Sequence, residues 1–172
     1  MTYQSTITPS RLVEADATPA EEIRKELTNA KTEIEALGLV TIVDITSAQL
    51  LALNATPVTL MAAPGAGLAI VIDRVEAYKA AGTAYDGIAS GEDLTLKYTD
   101  ASGAVCATIE TTGFLDQATA QLRAYRALTT ELVPVANAAI VAHLLTGEIA
   151  TGDSDVSLRI TYRVIPTTFA AA

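Results

Sequence analysis

The chain has 172 residues, a mass of 17.9 kDa and a formal net charge of −9. This length accommodates one domain with a substantial core and is short for two. Hydrophobic residues make up 50% and charged residues only 18% of the chain, so part of its apolar surface is predicted to meet other subunits. The acidic balance argues against nucleic-acid binding, which needs Lys and Arg to displace counterions from phosphates.

No membrane segment, secretory signal or disulfide is predicted. The first residues lack the basic start and apolar core of a secretory signal. The longest apolar run, residues 133–145, contains Pro134, Asn137 and His143 and falls short of the roughly 20 residues that span a bilayer. Cys106 is the single cysteine, so no intramolecular disulfide can form. A soluble protein is expected.

Residues 1–17 form a separate segment in which Thr and Ser alternate with scattered apolar side chains around Pro9. This composition is typical of an extended arm. Two interpretations stay open: a disordered terminus, and an arm that lies on a neighbouring protein.

A helix is predicted from Thr18, which can cap it, to Gly38, which can end it. Its apolar residues follow one another at spacings of four and three, which is typical of a coiled-coil seam with Leu27 and Ile34 at the a positions. Glu26 and Lys31 then fall at g and e, where they can pair between helices. We call the apolar set the helical stripe; it consists of Ile23, Leu27, Ala30, Ile34 and Leu37. The stripe either docks the helix on its own domain or joins copies of the chain around a symmetry axis.

From residue 39 onward the pattern predicts β structure. A strand, a turn with Pro64, Gly65 and Gly67, and an aliphatic strand from Leu68 are expected between residues 56 and 78, and the change of phase at Asp73 predicts a bulge. Residues 47–54 form one helical turn or a strand edge. A hairpin joins residues 94–99 to 105–109.

Two further strands are expected near the C-terminal end, at residues 138–145 and 156–165, and an ordered loop or a short helix capped by Asp116 lies between residues 113 and 134. In the last strand Arg159 and Arg163 lie on the outer face, either solvated or paired with a neighbour. Strands separated by turns, without regular intervening helices, predict a mainly β fold, an antiparallel β-sandwich.

No pattern of catalytic, metal-binding or cofactor-binding residues is found. His143 lies in an apolar strand with no nucleophile or acid at motif spacing. Asp153 and Asp155 resemble the first acidic residues of a calcium loop, but Leu158 and Val164 occupy the positions where that loop requires glycine and glutamate. Gly65-Ala66-Gly67 lacks the Lys-Ser/Thr of a phosphate loop. The chain is therefore not expected to be an enzyme.

Several short sequences resemble a family of tailed-bacteriophage virion proteins that decorate or cement the capsid. They are Leu53, Thr56 to Leu60, Ala63 to Gly67, Gly82 to Tyr85 and Tyr162 to Ile165. The resemblance spans about residues 44–166 and implies a jelly-roll sandwich, a homotrimer, a place on the outer surface of the capsid and the major capsid protein as partner.

The first 40 or so residues lie outside that resemblance, and the chain is expected to divide into a segment for capsid or inter-subunit attachment, residues 1–38, and a sandwich domain, residues 39–172. The helical stripe is the candidate oligomer seam, and Tyr3, Ile7, Arg11 and Leu12 are the candidate capsid-contact residues of the arm. A head-fibre base or tail component is an alternative within the virion. A carbohydrate-binding sandwich module is the alternative from another class.

Overall fold

The computed structural model describes residues 19–126, 131–145 and 149–168. Two helices and eight strands occur in this part of the chain. In order they are α1 (Pro19–Leu37), β1 (Leu39–Ile45), α2 (Ser47–Leu51), β2 (Val58–Met61), β3 (Leu68–Lys79), β4 (Asp93–Tyr98), β5 (Val105–Glu110), β6 (Gln121–Arg126), β7 (Ile140–Leu144) and β8 (Val156–Pro166).

The strands form two four-stranded antiparallel sheets, one in the order β1-β8-β3-β6 and the other in the order β2-β7-β4-β5. The chain passes from one sheet to the other at nearly every connection, and only β4 and β5 follow each other within a sheet. This is the strand order of an eight-stranded jelly roll. The predicted mainly β antiparallel sandwich is confirmed.

The core lies between the two sheets. β8 alternates as the sequence predicts, so that Val156, Leu158 and Ile160 are buried while the residues between them face outward. Leu94 and Leu96 of β4 close the core from the opposite sheet. Tyr98 also lies in the core, and its hydroxyl donates a hydrogen bond of 2.6 Å to the carbonyl oxygen of Ile70 in the other sheet.

The bulge predicted at Asp73 is present, because the register of β3 against β8 shifts between Ile72 and Arg74. The glycine turn before β3 is also present. Gly65 and Gly67 have φ angles of 110° and 75°, a backbone region that favours glycine. Residues 47–51 are the helical alternative, capped by Thr46.

The interpretation of residues 113–134 as a loop or a helix capped by Asp116 is wrong, because this segment contains the edge strand β6. It pairs with β3 from Gln121 to Arg126. Its sequence lacks β-branched residues, and polar groups hold its inner side. Tyr125 donates its hydroxyl proton to the carbonyl of Glu110, and Arg123 donates to that of Gly113.

Replacing Tyr98 with Phe is expected to lower the free energy of unfolding by about 1–2 kcal/mol, because the ring still fills the core while the bond to Ile70 is lost. Urea denaturation measures this change. The matched control is Tyr78→Phe on the exposed side of β3, which is expected to leave the unfolding free energy unchanged. Equal loss in both variants would show that the buried bond contributes nothing.

Candidate functional site

The helical stripe is exposed to solvent in the single chain. Ile23, Leu27 and Ile34 are 49%, 64% and 58% exposed, Ala30 is partly buried, and the side chain of Leu37 lies outside what is described. The alternative that the stripe docks on its own domain is wrong for the three large side chains. Such an apolar row costs free energy in water unless a partner covers it.

The position of α1 explains this exposure. The helix ends at Leu37, as predicted from Gly38, and β1 begins at Leu39, so a single glycine with φ 102° joins them. The main strand contacts of α1 are with β8. A helix of 19 residues is roughly 28 Å long, and Ile23, Leu27 and Ile34 stay exposed along it.

A second apolar surface covers the solvent side of the β1-β8-β3-β6 sheet, which we call the outer sheet face. Its exposed apolar side chains come from three strands: Val40 and Ile42 of β1, Tyr78 of β3 and Leu122 of β6. Ile42 and Leu122 are the most exposed, at 67% and 68%. A shallow cavity of about 380 Å³ lies among Ile42, Tyr78 and Leu122.

The register of the strands sets the side chains of this face in rows. Ile42 lies opposite Arg159, which lies opposite Glu76, which lies opposite Ala124. In the neighbouring row Asp44, Ser157, Tyr78 and Leu122 follow one another across the sheet. Because directly opposite residues on adjacent strands share a face, apolar side chains flank a charged centre.

Ion pairs form that charged centre. Glu76 accepts hydrogen bonds from Arg159, at 2.5 Å, and from Arg74. The bond from Arg159, together with the charges of both arginines, lowers the pKa of Glu76. Arg163 binds both carboxylate oxygens of Asp73 at 2.7–3.1 Å. The interpretation of Arg159 and Arg163 as solvated, or paired with a neighbour, is therefore wrong, since both pair with acids of β3 in the same chain.

Sequence reasoning missed the outer sheet face as an apolar surface. The signal is present in β1, where Val40 and Ile42 alternate with the inward side chains of Leu39, Val43 and Ile45, so that both sides of the strand are apolar. The candidate arm residues Tyr3, Ile7, Arg11 and Leu12 lie outside the described residues, and their role stays a prediction.

His143 is buried in the other sheet beside a lysine. Its Nδ1 lies 3.2 Å from Nζ of Lys97, which also donates a hydrogen bond of 2.7 Å to the carbonyl of Ala101. Since Lys97 has only protons to offer, His143 Nδ1 accepts and its proton is on Nε2. Burial and then the charge of Lys97 lower the pKa of His143, while Glu92 raises it. This arrangement anchors a turn and supplies no nucleophile.

Asp153 and Asp155 bind backbone groups of the same chain. Asp153 accepts from the backbone N–H of Thr83 at 2.6 Å and from its hydroxyl at 2.9 Å, and these bonds lower the pKa of Asp153. Asp155 accepts from the N–H of Ser47 at 2.8 Å. Both carboxylates therefore tie loops to the start of β8, in agreement with a turn before a strand.

Two further chemistry-bearing residues, Cys106 and Lys79, lie in the interior of the sandwich. Cys106 is fully buried, and burial raises the pKa of its thiol to about 12, so it behaves as a small core residue. Lys79 is also fully buried, and it donates to the carbonyls of Gln117 and Ala80 at 2.7 and 3.2 Å. Within residues 19–126, 131–145 and 149–168, no group of three His, Cys, Asp or Glu side chains could hold a metal ion, and no helix could span a membrane.

No family model matches this sequence, and no curated protein matches it significantly. Among solved structures, the chain is similar to a chain of the capsid asymmetric unit of cyanophage Pam1, with a TM-score of 0.41 and 20% sequence identity. The alignment covers 73% of this chain and 84% of that chain. A likeness this distant assigns neither fold nor function.

The burial of His143 beside Lys97 lowers the pKa of His143 and predicts a loss of stability in mild acid. Because the pKa of His143 is lowered in the folded protein, the folded state binds this proton more weakly than the unfolded state. The free energy of unfolding is therefore expected to be highest above the unfolded pKa of 6.5 and to fall as the pH decreases from there through the folded pKa.

Urea denaturation between about pH 7.5 and about pH 5.5 measures this slope. The variant His143→Gln, whose side chain does not titrate, is expected to have a flatter profile than the unmodified chain. If the two profiles run parallel over this range, His143 does not carry the pH dependence.

Proposed function

We propose that this chain is a non-enzymatic structural protein of a tailed-bacteriophage virion. In this role it decorates and stabilises the capsid, as a homotrimer bound to the outer surface of the shell formed by the major capsid protein. The observation that carries the proposal is the exposed helical stripe, which leaves Ile23, Leu27 and Ile34 uncovered in a single copy.

Three features support a place on the outside of a shell. The sequence around Thr56 to Leu60 and Ala63 to Gly67 resembles virion decoration proteins, a resemblance that implies the trimer. The net charge of −9 suits a surface away from a packaged genome, since an inner surface would face phosphates. The jelly roll closes its two sheets on each other and leaves Ile23, Leu27 and Ile34 of α1 exposed to other subunits.

The mechanism of stabilisation is mass action. A protein that binds the assembled shell, and not its dissociated subunits, shifts the equilibrium toward the assembled shell as its own concentration rises. A trimer adds to this effect, because three linked contacts hold more tightly than one. The stripe joins the copies, while residues 1–17 supply the contact with the major capsid protein.

Binding to capsids tests the virion role directly. Heads of the phage that encodes the chain, assembled without it, are mixed with purified protein and sedimented. We expect saturable co-sedimentation and a higher temperature of genome release from the decorated heads. A folded oligomer that stays in the supernatant at all concentrations would contradict decoration of the head, and labelling of intact virions would then test a head-fibre or tail position.

Replacing Leu27 and Ile34 with Asp is expected to split the oligomer, because two charges would have to be buried in the seam without partners. Sedimentation velocity measures the change. The matched control carries the same charges at Thr28 and Thr32, on the side of α1 away from the stripe, where both hydroxyls bond to helix carbonyls. The control is expected to keep the oligomer; an intact oligomer in the stripe variant would show that the helix is not the seam.

A further inference from the structure

Two apolar surfaces of this chain lack a cover in the single copy: the helical stripe and the outer sheet face. The stripe presents Ile23, Leu27 and Ile34, and the face presents Ile42 and Leu122 beside a shallow cavity. Each surface can cover the other, because an amphipathic helix buries its apolar row against a sheet or another helix.

We propose that α1 of one copy lies across the outer sheet face of a second copy, so that the partner of the stripe is a sheet and not another α1. The inference deepens the proposed function and rests on its oligomer. It specifies which surface receives the helix and which residues meet.

The connection between α1 and β1 favours a second copy over the chain's own sheet. Only Gly38 separates the helix from β1, and a Cβ atom at this glycine would lie 3.7 Å from Cγ2 of Thr161, which shows that the junction is packed against β8. In the single chain the helical stripe and the outer sheet face are both exposed. α1 therefore does not cover the outer sheet face of its own chain.

The charges of the two surfaces are complementary. The outer sheet face carries four arginines and three acids, a net charge of +1, in a chain of net charge −9; these residues are Arg74, Arg126, Arg159, Arg163, Asp44, Asp73 and Glu76. α1 carries five glutamates and three basic residues, a net charge of −2; these are Glu21, Glu22, Glu26, Glu33, Glu35, Arg24, Lys25 and Lys31.

The sheet also holds two like charges directly opposite each other, Arg74 on β3 and Arg126 on β6. Opposed like charges on adjacent strands destabilise a sheet, although Glu76 of the same chain already pairs with Arg74. Glu26 and Glu33 lie along one edge of the stripe, at the g positions of its heptads, and Arg24 and Lys31 lie along the other, at the e positions. A helix laid on the face therefore brings charges of both signs to a face that also carries both signs.

The dimensions and symmetry of such a contact are compatible with a small ring of copies. Four strands at a spacing of about 4.8 Å give a face wide enough for one helix of about 10 Å diameter. Each copy gives one helix and receives one, so the contact is heterologous, and identical heterologous contacts close into a ring when the rotation permits. Three copies fit the trimer of the proposed function.

Cysteine cross-linking tests the contact in the full chain, because the native Cys106 is fully buried and adds little background. The double variant Leu27→Cys, Ile42→Cys is treated with a short bis-maleimide and separated on a denaturing gel. We expect covalent dimers and trimers from the double variant. Either single variant is expected to give none, and the matched pair Thr32→Cys, Ile42→Cys, with its helix cysteine away from the stripe, is expected to give at least tenfold less product.

Each other result identifies a different arrangement. Dimers from Leu27→Cys alone would show stripe against stripe; this overturns the sheet contact while the oligomer and the virion role stand. A fast-migrating cross-linked monomer would show that α1 covers its own sheet and would overturn the proposed contact between copies. If the expected cross-links form but the protein does not co-sediment with heads, the virion role is refuted and the contact between copies stands.

Discussion

Burial of the two inner sheet faces against each other determines the rest of this structure. Once Ile70 and Ile72 of one sheet pack on Leu94 and Leu96 of the other, the direction of every neighbouring side chain follows from the two-residue period of a strand. The register then sets which residues share the outer face. The ion pairs and the exposed apolar row on that face are consequences of how the core is closed.

The closed sandwich leaves no inner surface for α1. Its stripe and the outer sheet face are both exposed, and both lie on a chain whose charged residues are only 18% of the total. In a monomer these surfaces raise the free energy of the folded chain in water. When copies assemble on a large surface, burial of the same residues contributes binding energy. The ion pairs of arginine and glutamate then set the orientation of one copy against the next.

The sequence predicted the elements that carry a strong period and missed those that depend on distant partners. β8 and the hairpin of β4 and β5 follow from alternation, and the bulge follows from the interruption at Asp73. β6 was not predicted, because an edge strand pairs with a neighbouring strand on one side only. Hydrogen bonds from Arg123 and Tyr125 hold this strand in place. The pairing of Arg159 with Glu76 joins residues 83 positions apart, and such a register cannot be read before the strand order is known. The sequence predicts which residues form the helical stripe but does not predict which surface covers them.

The most direct test of the central claim, that the helical stripe is buried between copies, is the mass of the unmodified chain in solution. Light scattering over a dilution series gives this mass without labels or a partner protein. We expect a species of about three times 17.9 kDa that dissociates only on dilution. A mass of 17.9 kDa at every concentration would contradict it, since Ile23, Leu27 and Ile34 would then remain exposed in the free protein.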